Sequence, residues 1–402
     1  MTEGRDTMTA RVDRVRTAVV GCGAISSIYI RNLSKLFHIT EVVAVCDLRP
    51  EAAAEKAAAF GIPRTMTLDE IAASDEIELV VCLTAPAAHA EVIRRMLEAG
   101  KHVYTEKMFT TDLAVSRELV RLADEKGLYL GVAPDTVLGA GIQTARKLLD
   151  AGMIGRVTSG QVCINRNQGL NSELFRFLRG EGGALPYDVG VYYVATLLTL
   201  LGPVKAIRAF GAPAPVHAPE LLFLGAEEEP WQIPGDNVMA AALQFESGAL
   251  VSVLFDGNTV GAEQHNITLF GTEGILKVGD PNTFSGPVRL IRPESGACDM
   301  PFTHGYDGRN MLEPAPFDHY GHRGIGVAEM AWAIRKGRPN VRCSKEYGLH
   351  CQEVLLGMSE AAHTGKTYEP ASRFVMEGLP SGHYSTVWGG GARGDAERSL
   401  MD

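Results

Sequence analysis

The sequence predicts an α/β protein in which a doubly wound parallel sheet is followed by an α+β domain with a large, mainly antiparallel open sheet. From Arg16 to about Val132, short apolar runs of strand type alternate with helical stretches, which is the pattern of a parallel sheet with helices on both faces. Beyond about residue 150, strand-like runs follow one another through tight turns at 246–248 and 271–274, as in antiparallel hairpins. At 402 residues the chain is long enough for these units to be separate domains.

The elements of the first domain, which we place at residues 15–135, are predicted from apolar runs and helix-boundary residues. Pro50 and Pro86 suit the first turn of a helix, where the missing N–H of proline costs no hydrogen bond, and Gly61 suits a helix end. The predicted strands cover 16–20, 41–47, 79–84, 101–106 and 128–132, and the predicted helices cover 24–37, 50–60, 68–73, 86–99 and 111–126. Residues 1–14 are polar and are expected to form a loose tail.

The second domain is placed at residues 136–373. Its predicted strands cover 156–165, 204–211, 237–245, 249–255, 265–270 and 274–278, and its predicted helices cover 184–201, 324–336 and 345–364. Because helices would cover one face of such a sheet, the other face must be hydrated or must pair with a second subunit, so we expect a homodimer or homotetramer. Residues 374–402 are expected to form a second loose tail.

A glycine turn after the first strand carries the strongest functional signal. Gly21 permits a sharp exit from the strand. Gly23 lacks a Cβ, so a pyrophosphate can approach the backbone of Gly23, Ala24 and Ile25 at the start of the following helix. About 20 residues further on, a second apolar run ends in Asp47, where the partner of a ribose hydroxyl belongs. The pattern predicts that this chain binds a dinucleotide.

The acid after the second strand also bears on which dinucleotide binds. The carboxylate of Asp47 can accept a hydrogen bond from a 2′-hydroxyl and would repel a 2′-phosphate, which favours NAD. Arg49, two residues on, could pair with such a phosphate, so NADP stays open as the alternative.

Further candidates follow two later strands, because ligands of such sheets bind beyond the carboxyl ends of the strands. Thr84 and Pro86 are expected to shape the turn near the nicotinamide ribose. His89 is expected to face the same pocket, with the surface as the alternative. Glu106 and Lys107 end another strand, where a lysine can bridge a substrate hydroxyl and the cofactor and can stabilise a developing alkoxide. The alternative for Lys107 is a solvated charge at a strand end, without a role in function.

A second group of candidates lies in the other domain. If residues 184–201 form one helix, Asp188 and Tyr192 stand one turn apart on the same face and can line a substrate pocket. The alternatives are a first-turn acid that interacts with the helix dipole and an ordinary core aromatic. Asn165 and Arg166 lie at a strand end and could hydrogen-bond a polyol, although a surface loop is an equal alternative.

Composition excludes several classes of protein. A net charge of −10 disfavours nucleic acid and anionic membrane as partners, since both are bound by basic patches. No apolar run reaches the roughly 18 residues of a membrane span, and the first residues have no signal-peptide pattern. The seven cysteines are scattered without zinc-binding spacing. We therefore expect a cytoplasmic protein without a bound metal.

These motifs together resemble the Gfo/Idh/MocA oxidoreductase family over roughly residues 16–370. The resemblance is carried by the turn at 21–26 with Asp47 and by the segments 100–107, 182–192 and 267–274. Members are NAD(P)-dependent dehydrogenases or reductases of sugars, cyclitols and related polyols. The resemblance implies an N-terminal Rossmann domain and a second domain whose open sheet mediates oligomerisation.

The resemblance also implies residue roles. Lys107 falls on the catalytic lysine of the Glu-Lys-Pro motif, and Asp188 falls on the acid of the D-x-G-x-H motif. Tyr192 stands where many members carry the histidine that acts as base, and some sugar-oxidising members also have tyrosine there. Met108 replaces the usual proline after the lysine, and Asp135-Thr136 follows Ala133-Pro134 where many members have an arginine-containing segment.

The expected reaction is reversible oxidation of an alcohol carbon of a sugar, glycoside or cyclitol. Either Tyr192 or Asp188 would remove the hydroxyl proton. A free tyrosine titrates near pH ~10, so the Lys107 charge would have to help Tyr192 act near neutrality. Two other functions remain open: an NAD-dependent hydrolase or lyase that cleaves glycosides through transient oxidation, and a non-enzymatic NAD(H)-binding sensor.

Overall fold

The computed structural model describes residues 13–217, 230–259, 264–307 and 322–380. The N-terminal tail predicted at 1–14 lies almost wholly outside these residues, and so do residues 381–402 of the predicted C-terminal tail. Both predicted domains lie largely inside them.

Within the described part of the chain, six parallel strands form the first sheet in the order β3-β2-β1-β4-β5-β6. The strands are β1 (Val15–Val20), β2 (Thr40–Cys46), β3 (Arg64–Thr65), β4 (Leu79–Cys82), β5 (His102–Thr105) and β6 (Leu130–Val132). The helices between them are α1 (Ser26–Lys35), α2 (Pro50–Phe60), α3 (Leu68–Ala73), α4 (Pro86–Glu98) and α5 (Leu113–Glu125). Strands covered on both faces are apolar throughout, and this is why β1 and β4 could be predicted from continuous apolar runs. The two-residue β3 was missed because it is too short for such a run.

The helices of this domain begin and end where local chemistry directs them. α2 starts at Pro50 and ends at Gly61, whose φ of 67° is left-handed. Thr67 and Glu70 form a reciprocal capping box at the start of α3, and Asp112 accepts from two backbone N–H groups at the start of α5. Each device satisfies backbone groups that a helix end would otherwise leave without partners.

A second sheet of eight strands lies within the described residues, in the order β14-β13-β12-β11-β7-β10-β9-β8. Its strands are β7 (Val157–Asn165), β8 (Val204–Pro213), β9 (Asp236–Phe245), β10 (Leu250–Asp256), β11 (Gln264–Gly271), β12 (Ile275–Val278), β13 (Val288–Arg292) and β14 (Gly296–Asp299). Neighbours are antiparallel except for β7 and β10, which are parallel. The predicted hairpins at 246–248 and 271–274 join β9 to β10 and β11 to β12. This confirms the mainly antiparallel open sheet.

The helices of the second domain depart from the prediction in one place that matters for function. They are α6 (Ala140–Asp150), α7 (Gln168–Leu174), α8 (Leu185–Asp188), α9 (Gly190–Leu201), α10 (Ile325–Lys336) and α11 (Lys345–Thr364). The single helix predicted over 184–201 is wrong, because the chain breaks at Val189 between α8 and α9. A Cβ on Gly190 would lie 2.7 Å from the ring of Phe255, so the second helix begins where its backbone packs directly on β10.

Residues 374–380 do not form part of a loose tail, contrary to the prediction from the sequence. Phe374, Met376 and Leu379 are buried. Arg146 on α6 donates to the Met376 carbonyl oxygen at 3.1 Å. The chain therefore packs against the second domain beyond residue 374 instead of leaving the surface there.

Helix α11 connects the two domains. It packs on α5 and β6 of the first domain and on α9 and β8 of the second. Gly348 allows this approach, because a Cβ at that position would lie 2.4 Å from the Val132 side chain. Among the described residues, no helix is both long and apolar enough to cross a bilayer.

Candidate active site

The turn after β1 contains two glycines with different structural constraints. Gly21 has a φ of +100°, and a Cβ there would lie 2.7 Å from the carbonyl carbon and oxygen of Leu83. Because both neighbours are backbone atoms of the segment after β4, they cannot move away, and glycine is required for packing alone. A Cβ on Gly23 would meet no atom within 4 Å. The absence of a side chain at Gly23 therefore leaves open space beside the turn.

That open space belongs to a cleft of about 400 Å³. The cleft is lined by Cys22, Gly23, Ala24, Arg49, Glu51, Ala52, Glu55 and Lys56. Helix α1 begins at this cleft, and its N-cap residue Ile25 supplies no side-chain hydrogen bond to the helix end. An uncapped helix N-terminus beside a glycine turn favours an anion. Gly23, Ala24 and Ile25 therefore fit the pyrophosphate of a dinucleotide.

Asp47 holds the two turns of the cleft together. Its Oδ2 accepts from the Cys22 N–H at 2.8 Å, and its Oδ1 accepts from the Arg49 N–H at 2.9 Å. The Arg49 side chain is 75 % exposed, with Nε 3.8 Å from Asp47 Oδ1. Lys56 of α2, which sequence reasoning did not single out, adds a second cation and donates to Ser27 Oγ. Asp47 thus offers, beside the cleft, an acid suited to a ribose hydroxyl. The cleft itself carries two cations suited to a phosphate, Arg49 and Lys56, together with the acids Glu51 and Glu55.

The residues after β4 that were predicted to lie near the cofactor differ in burial. Thr84 and Pro86 are half-buried, and Pro86 begins α4. His89 is fully buried, with Nδ1 2.7 Å from the Met108 carbonyl oxygen and Nε2 2.9 Å from the Thr84 carbonyl oxygen. Placing His89 in the cofactor pocket or on the surface was wrong. It ties the loop after β4 to the loop after β5, and burial lowers its pKa against the pull of those carbonyl groups.

Lys107 and Asp188 form an ion pair across the two domains. Lys107 Nζ donates to Asp188 Oδ1 and to the Asp188 carbonyl oxygen, both at 2.7 Å. The two side chains are 16 % and 12 % exposed. Burial works against the lysine charge, but Asp188, Tyr192 and Glu106 together outweigh it and raise the pKa of Lys107. The ammonium therefore remains protonated at neutral pH, and a solvated strand-end lysine is ruled out.

Neighbouring side chains fix this pair from both sides. Glu106 is buried, accepts from the Tyr29 hydroxyl at 2.7 Å, and accepts from the Lys107 N–H at 2.9 Å. Gln168 Nε2 donates to Asp188 Oδ2 at 3.1 Å and to the Gly183 carbonyl oxygen at 2.9 Å. Both oxygens of Glu106 are thus used within the protein, and both oxygens of Asp188 accept hydrogen bonds.

Tyr192 lies beside the pair although a helix break separates it from Asp188. Its side chain is 6 % exposed, and Lys107 Nζ lies 5.5 Å from its ring centroid. The Tyr192 hydroxyl oxygen accepts from Arg323 Nη2 at 3.3 Å. The structure therefore brings together Lys107, Asp188 and Tyr192, with Arg323 as a fourth member that sequence reasoning missed.

The strand end at Asn165 and Arg166 approaches the same place. Both residues are half-buried at the end of β7, and Gln168, two residues later, reaches Asp188. The contact of Asn165 and Arg166 with a substrate remains a prediction. Within the described residues, no cluster of histidine, cysteine and acidic side chains could hold a metal ion.

Asp135 lies behind the site and is fully buried. Its Oδ2 accepts from the Gly324 N–H at 2.7 Å and from the Gly326 N–H at 3.2 Å. Desolvation raises its pKa to about 6, against the opposing effect of Arg323. The charged carboxylate thus costs folding free energy at neutral pH.

Substituting the two glycines of the turn should separate stability from dinucleotide binding. We expect Gly21→Ala to destabilise the protein, because a left-handed residue with a Cβ costs about 1–2 kcal/mol before the backbone clash is added. Gly23→Ala is the matched control for folding, and we expect it to have the same melting temperature as the wild-type protein. Its dissociation constant for NAD should rise at least tenfold, because the methyl group occupies the approach of the pyrophosphate. Thermal melting and fluorescence titration check this, and wild-type NAD affinity in Gly23→Ala would contradict it.

Because the pKa of the Asp135 carboxyl is raised, we expect the stability of the protein to depend on pH. Its folded-state pKa of about 6 lies above the unfolded value near ~4, so its stability contribution is present at low pH and is lost as pH rises through about 6. Asp135→Asn removes this titration. We expect the unfolding free energy of wild type, relative to Asp135→Asn, to fall between pH 4 and pH 7. Urea unfolding of both proteins at several pH values measures it, and a difference independent of pH would contradict it.

Two family models match the chain. The model of the oxidoreductase family with an NAD-binding Rossmann fold matches residues 15–133, and the Gfo/Idh/MocA C-terminal domain model matches residues 142–277. Together they cover more than half of the chain.

Curated proteins of similar sequence are also named as oxidoreductases or dehydrogenases. The chain is 33 % identical over 198 residues to uncharacterized oxidoreductase C26H5.09c of Schizosaccharomyces pombe, covering 48 % of this chain and 54 % of that protein. It is 27 % identical over 199 residues to the scyllo-inositol 2-dehydrogenase (NADP(+)) IolW of Bacillus subtilis, covering 50 % and 55 %. The chain therefore spans about half the length of these curated relatives.

Among solved structures, a levoglucosan dehydrogenase in complex with NADH and L-sorbose superposes with a TM-score of 0.74 at 19 % identity, covering 89 % of this chain and 98 % of that one. This likeness supports the fold. With both domain models matched, the chain belongs to the Gfo/Idh/MocA family of oxidoreductases, and its N-terminal domain is an NAD-binding Rossmann domain.

Proposed function

We propose that this protein transfers a hydride between a nicotinamide cofactor and an alcohol carbon of a sugar, glycoside or cyclitol. The observation that carries the proposal is the Lys107–Asp188 ion pair beside Tyr192. Lys107 follows β5, at the carboxyl edge of the parallel sheet, where ligands of such folds bind. The named substrates of the inositol dehydrogenase relative and the sugar in the levoglucosan dehydrogenase complex support a polyol substrate.

The bound nicotinamide would supply the chemistry of hydride acceptance and donation. The chain would hold the dinucleotide through the backbone of Gly23, Ala24 and Ile25 and through the carboxylate of Asp47. We propose NAD as the preferred cofactor, with NADP as the alternative that Arg49 and Lys56 support. Dissociation constants for the two cofactors decide this, and tighter binding of NADP would overturn the preference.

Lys107 and its neighbours would handle the charge that develops on the substrate oxygen. Because its pKa is raised, Lys107 is unsuited to remove a proton at neutral pH, and its ammonium can instead stabilise an alkoxide. Asp188 or Tyr192 would take the hydroxyl proton. Glu106, Gln168 and the loop held by His89 keep these groups in position.

We also propose that the protein is a homo-oligomer, most simply a homodimer, and that it works in the cytoplasm. The outer face of the second sheet carries an apolar row in which Phe210 and Leu254 flank Ala240 on neighbouring strands. Phe210 is 83 % and Leu254 is 42 % exposed. Such a row on an otherwise open sheet favours burial against a second copy. All seven cysteines are free thiols, which suits a reducing compartment.

Removing the reactive side chains should abolish most turnover and leave cofactor binding intact. We expect Lys107→Ala and Tyr192→Phe each to slow polyol oxidation by about 10²–10⁴, the usual contribution of a group that handles a proton or its charge. Lys126→Ala removes a lysine on the surface and is the matched control. A panel of polyols and glycosides followed by nicotinamide absorbance measures the rates. Wild-type rates in both site variants would reject the assignment.

Charging the apolar row should separate the subunits. We expect the double substitution Phe210→Glu and Leu254→Glu to give a monomer in light scattering at micromolar concentration, because four acids would face one another across the interface. Val375→Glu, at an exposed apolar residue outside these strands, is the control. A wild-type protein that is itself monomeric would contradict the proposed oligomer.

A further inference from the structure

Arg323 is a buried cation whose guanidinium reaches the hydroxyl oxygen of Tyr192. Arg323 is only 3 % exposed. Nη2 donates to the Tyr192 hydroxyl oxygen at 3.3 Å, and the guanidinium carbon lies 5.5 Å from the centroid of the Tyr192 ring. The guanidinium thus approaches the one atom of Tyr192 that can gain or lose a proton.

The position of Arg323 is fixed by several contacts. Nη1 donates to the His322 carbonyl oxygen and Nη2 donates to Asn282 Oδ1, both at 2.8 Å. Its own carbonyl oxygen accepts from Asn32 Nδ2 at 2.8 Å. The N–H of the next residue, Gly324, is bound by the Asp135 carboxylate. These bonds hold the guanidinium in one orientation before any ligand arrives.

The oxygens that receive these guanidinium N–H groups are neutral in their ordinary states. Burying a cation among neutral acceptors is unfavourable unless an opposite charge is near. Burial disfavours the charge of Arg323, but Tyr192, then Asp135, Glu106 and Tyr29, outweigh it and raise the pKa of Arg323. Of the hydrogen-bonded acceptors, Tyr192 is the one that can become negative by releasing a proton.

Lys107 meets Tyr192 in a different way. Its ammonium donates to Asp188 and lies over the face of the Tyr192 ring, 5.5 Å from the centroid. The two cations of the site therefore have different hydrogen-bond partners, although both carry their charge near Tyr192. Lys107 is paired with the Asp188 carboxylate, and Arg323 is hydrogen-bonded to the phenol.

We propose that Arg323 is the positioning residue that orients the Tyr192 hydroxyl and stabilises its phenolate, which makes Tyr192 rather than Asp188 the proton acceptor of the reaction. This inference rests on the proposed function. During oxidation the proton of the substrate hydroxyl would pass to the phenolate oxygen, and the carbon that bears this hydroxyl would give its hydride to the oxidised nicotinamide that the chain would hold. The products are a carbonyl compound, the reduced cofactor and neutral Tyr192, so atoms and electrons balance.

The titratable and charged groups near Tyr192 come from several elements. Lys107 follows β5, Arg323 precedes α10 and Tyr347 lies on α11. Asp188 is linked to them through Lys107, and Asp135 and Glu106 face Arg323 from behind. A test of Arg323 must therefore leave Lys107 and the three acids unchanged.

The first test needs no substrate. Protein labelled with ¹³C at the tyrosine Cζ is titrated by NMR, and Tyr192→Phe identifies the Tyr192 signal. We expect the midpoint of that signal to move upward by at least one pH unit in Arg323→Gln and by less in Arg323→Lys, which keeps the charge. Asn282→Ala, which removes one acceptor of the guanidinium, should give a smaller shift in the same direction. An unmoved Tyr192 signal in folded Arg323→Gln would overturn the proposal. If Arg323→Gln does not fold, an unmoved signal in Asn282→Ala overturns it.

The second test uses the polyol that the wild-type protein oxidises fastest. We expect Arg323→Gln to lower kcat at pH 7 at least tenfold, to displace the pH profile toward higher pH, and to leave the dissociation constant for NAD unchanged. In a Tyr192→Phe background the same substitution should cause little further loss. Equal losses in both backgrounds would show a structural effect and overturn the proposal. Failure of wild type to oxidise any polyol would reject the proposed function, and the NMR titration would still decide the role of Arg323.

Discussion

The ion pair between Lys107 and Asp188 is the interaction on which the site depends. Lys107 follows β5 of the parallel sheet, and Asp188 ends a short helix of the second domain, so their contact joins the domains at the edge where a ligand would enter. Two charges removed from water are stable together only when their hydrogen bonds are completed. Gln168 binds the second oxygen of the acid, and Glu106 holds the backbone N–H of Lys107 and so fixes the loop that carries the ammonium.

Behind this pair, buried polar groups determine where the reactive side chains stand. Tyr29 on α1 is hydrogen-bonded to Glu106, so the helix that begins at the dinucleotide cleft also supports the lysine loop. Asp135 binds the start of α10 and thereby fixes the backbone beside Arg323. Such groups cost free energy on burial and regain part of it through their hydrogen bonds, which is a means of specifying one arrangement of side chains. The geometry of the site is thus prepared before substrate or cofactor binds.

The sequence was most informative where one local rule decides the structure. Continuous apolar runs located the parallel strands, and the positive φ required at Gly21 marked the turn. Lys107 could be chosen as a candidate because it follows a predicted strand, and Asp188 and Tyr192 because they stand four residues apart within one predicted helix. The break at Val189 was not foreseen, since it results from packing of Gly190 on Phe255. His89 was misassigned because its partners are carbonyl groups of two loops. Arg323 left no local signal, as it meets Tyr192 across 131 residues of chain.

The proposed reaction is direct hydride transfer from a polyol carbon to a nicotinamide held at this site. The most direct measurement incubates the protein with NAD and polyols that carry deuterium on their carbinol carbons, and then examines the cofactor by mass spectrometry. We expect deuterium in the NADH formed, together with the matching carbonyl product. Consumption of a polyol that leaves the cofactor unlabelled, or no labelled cofactor with any member of the panel, would contradict it.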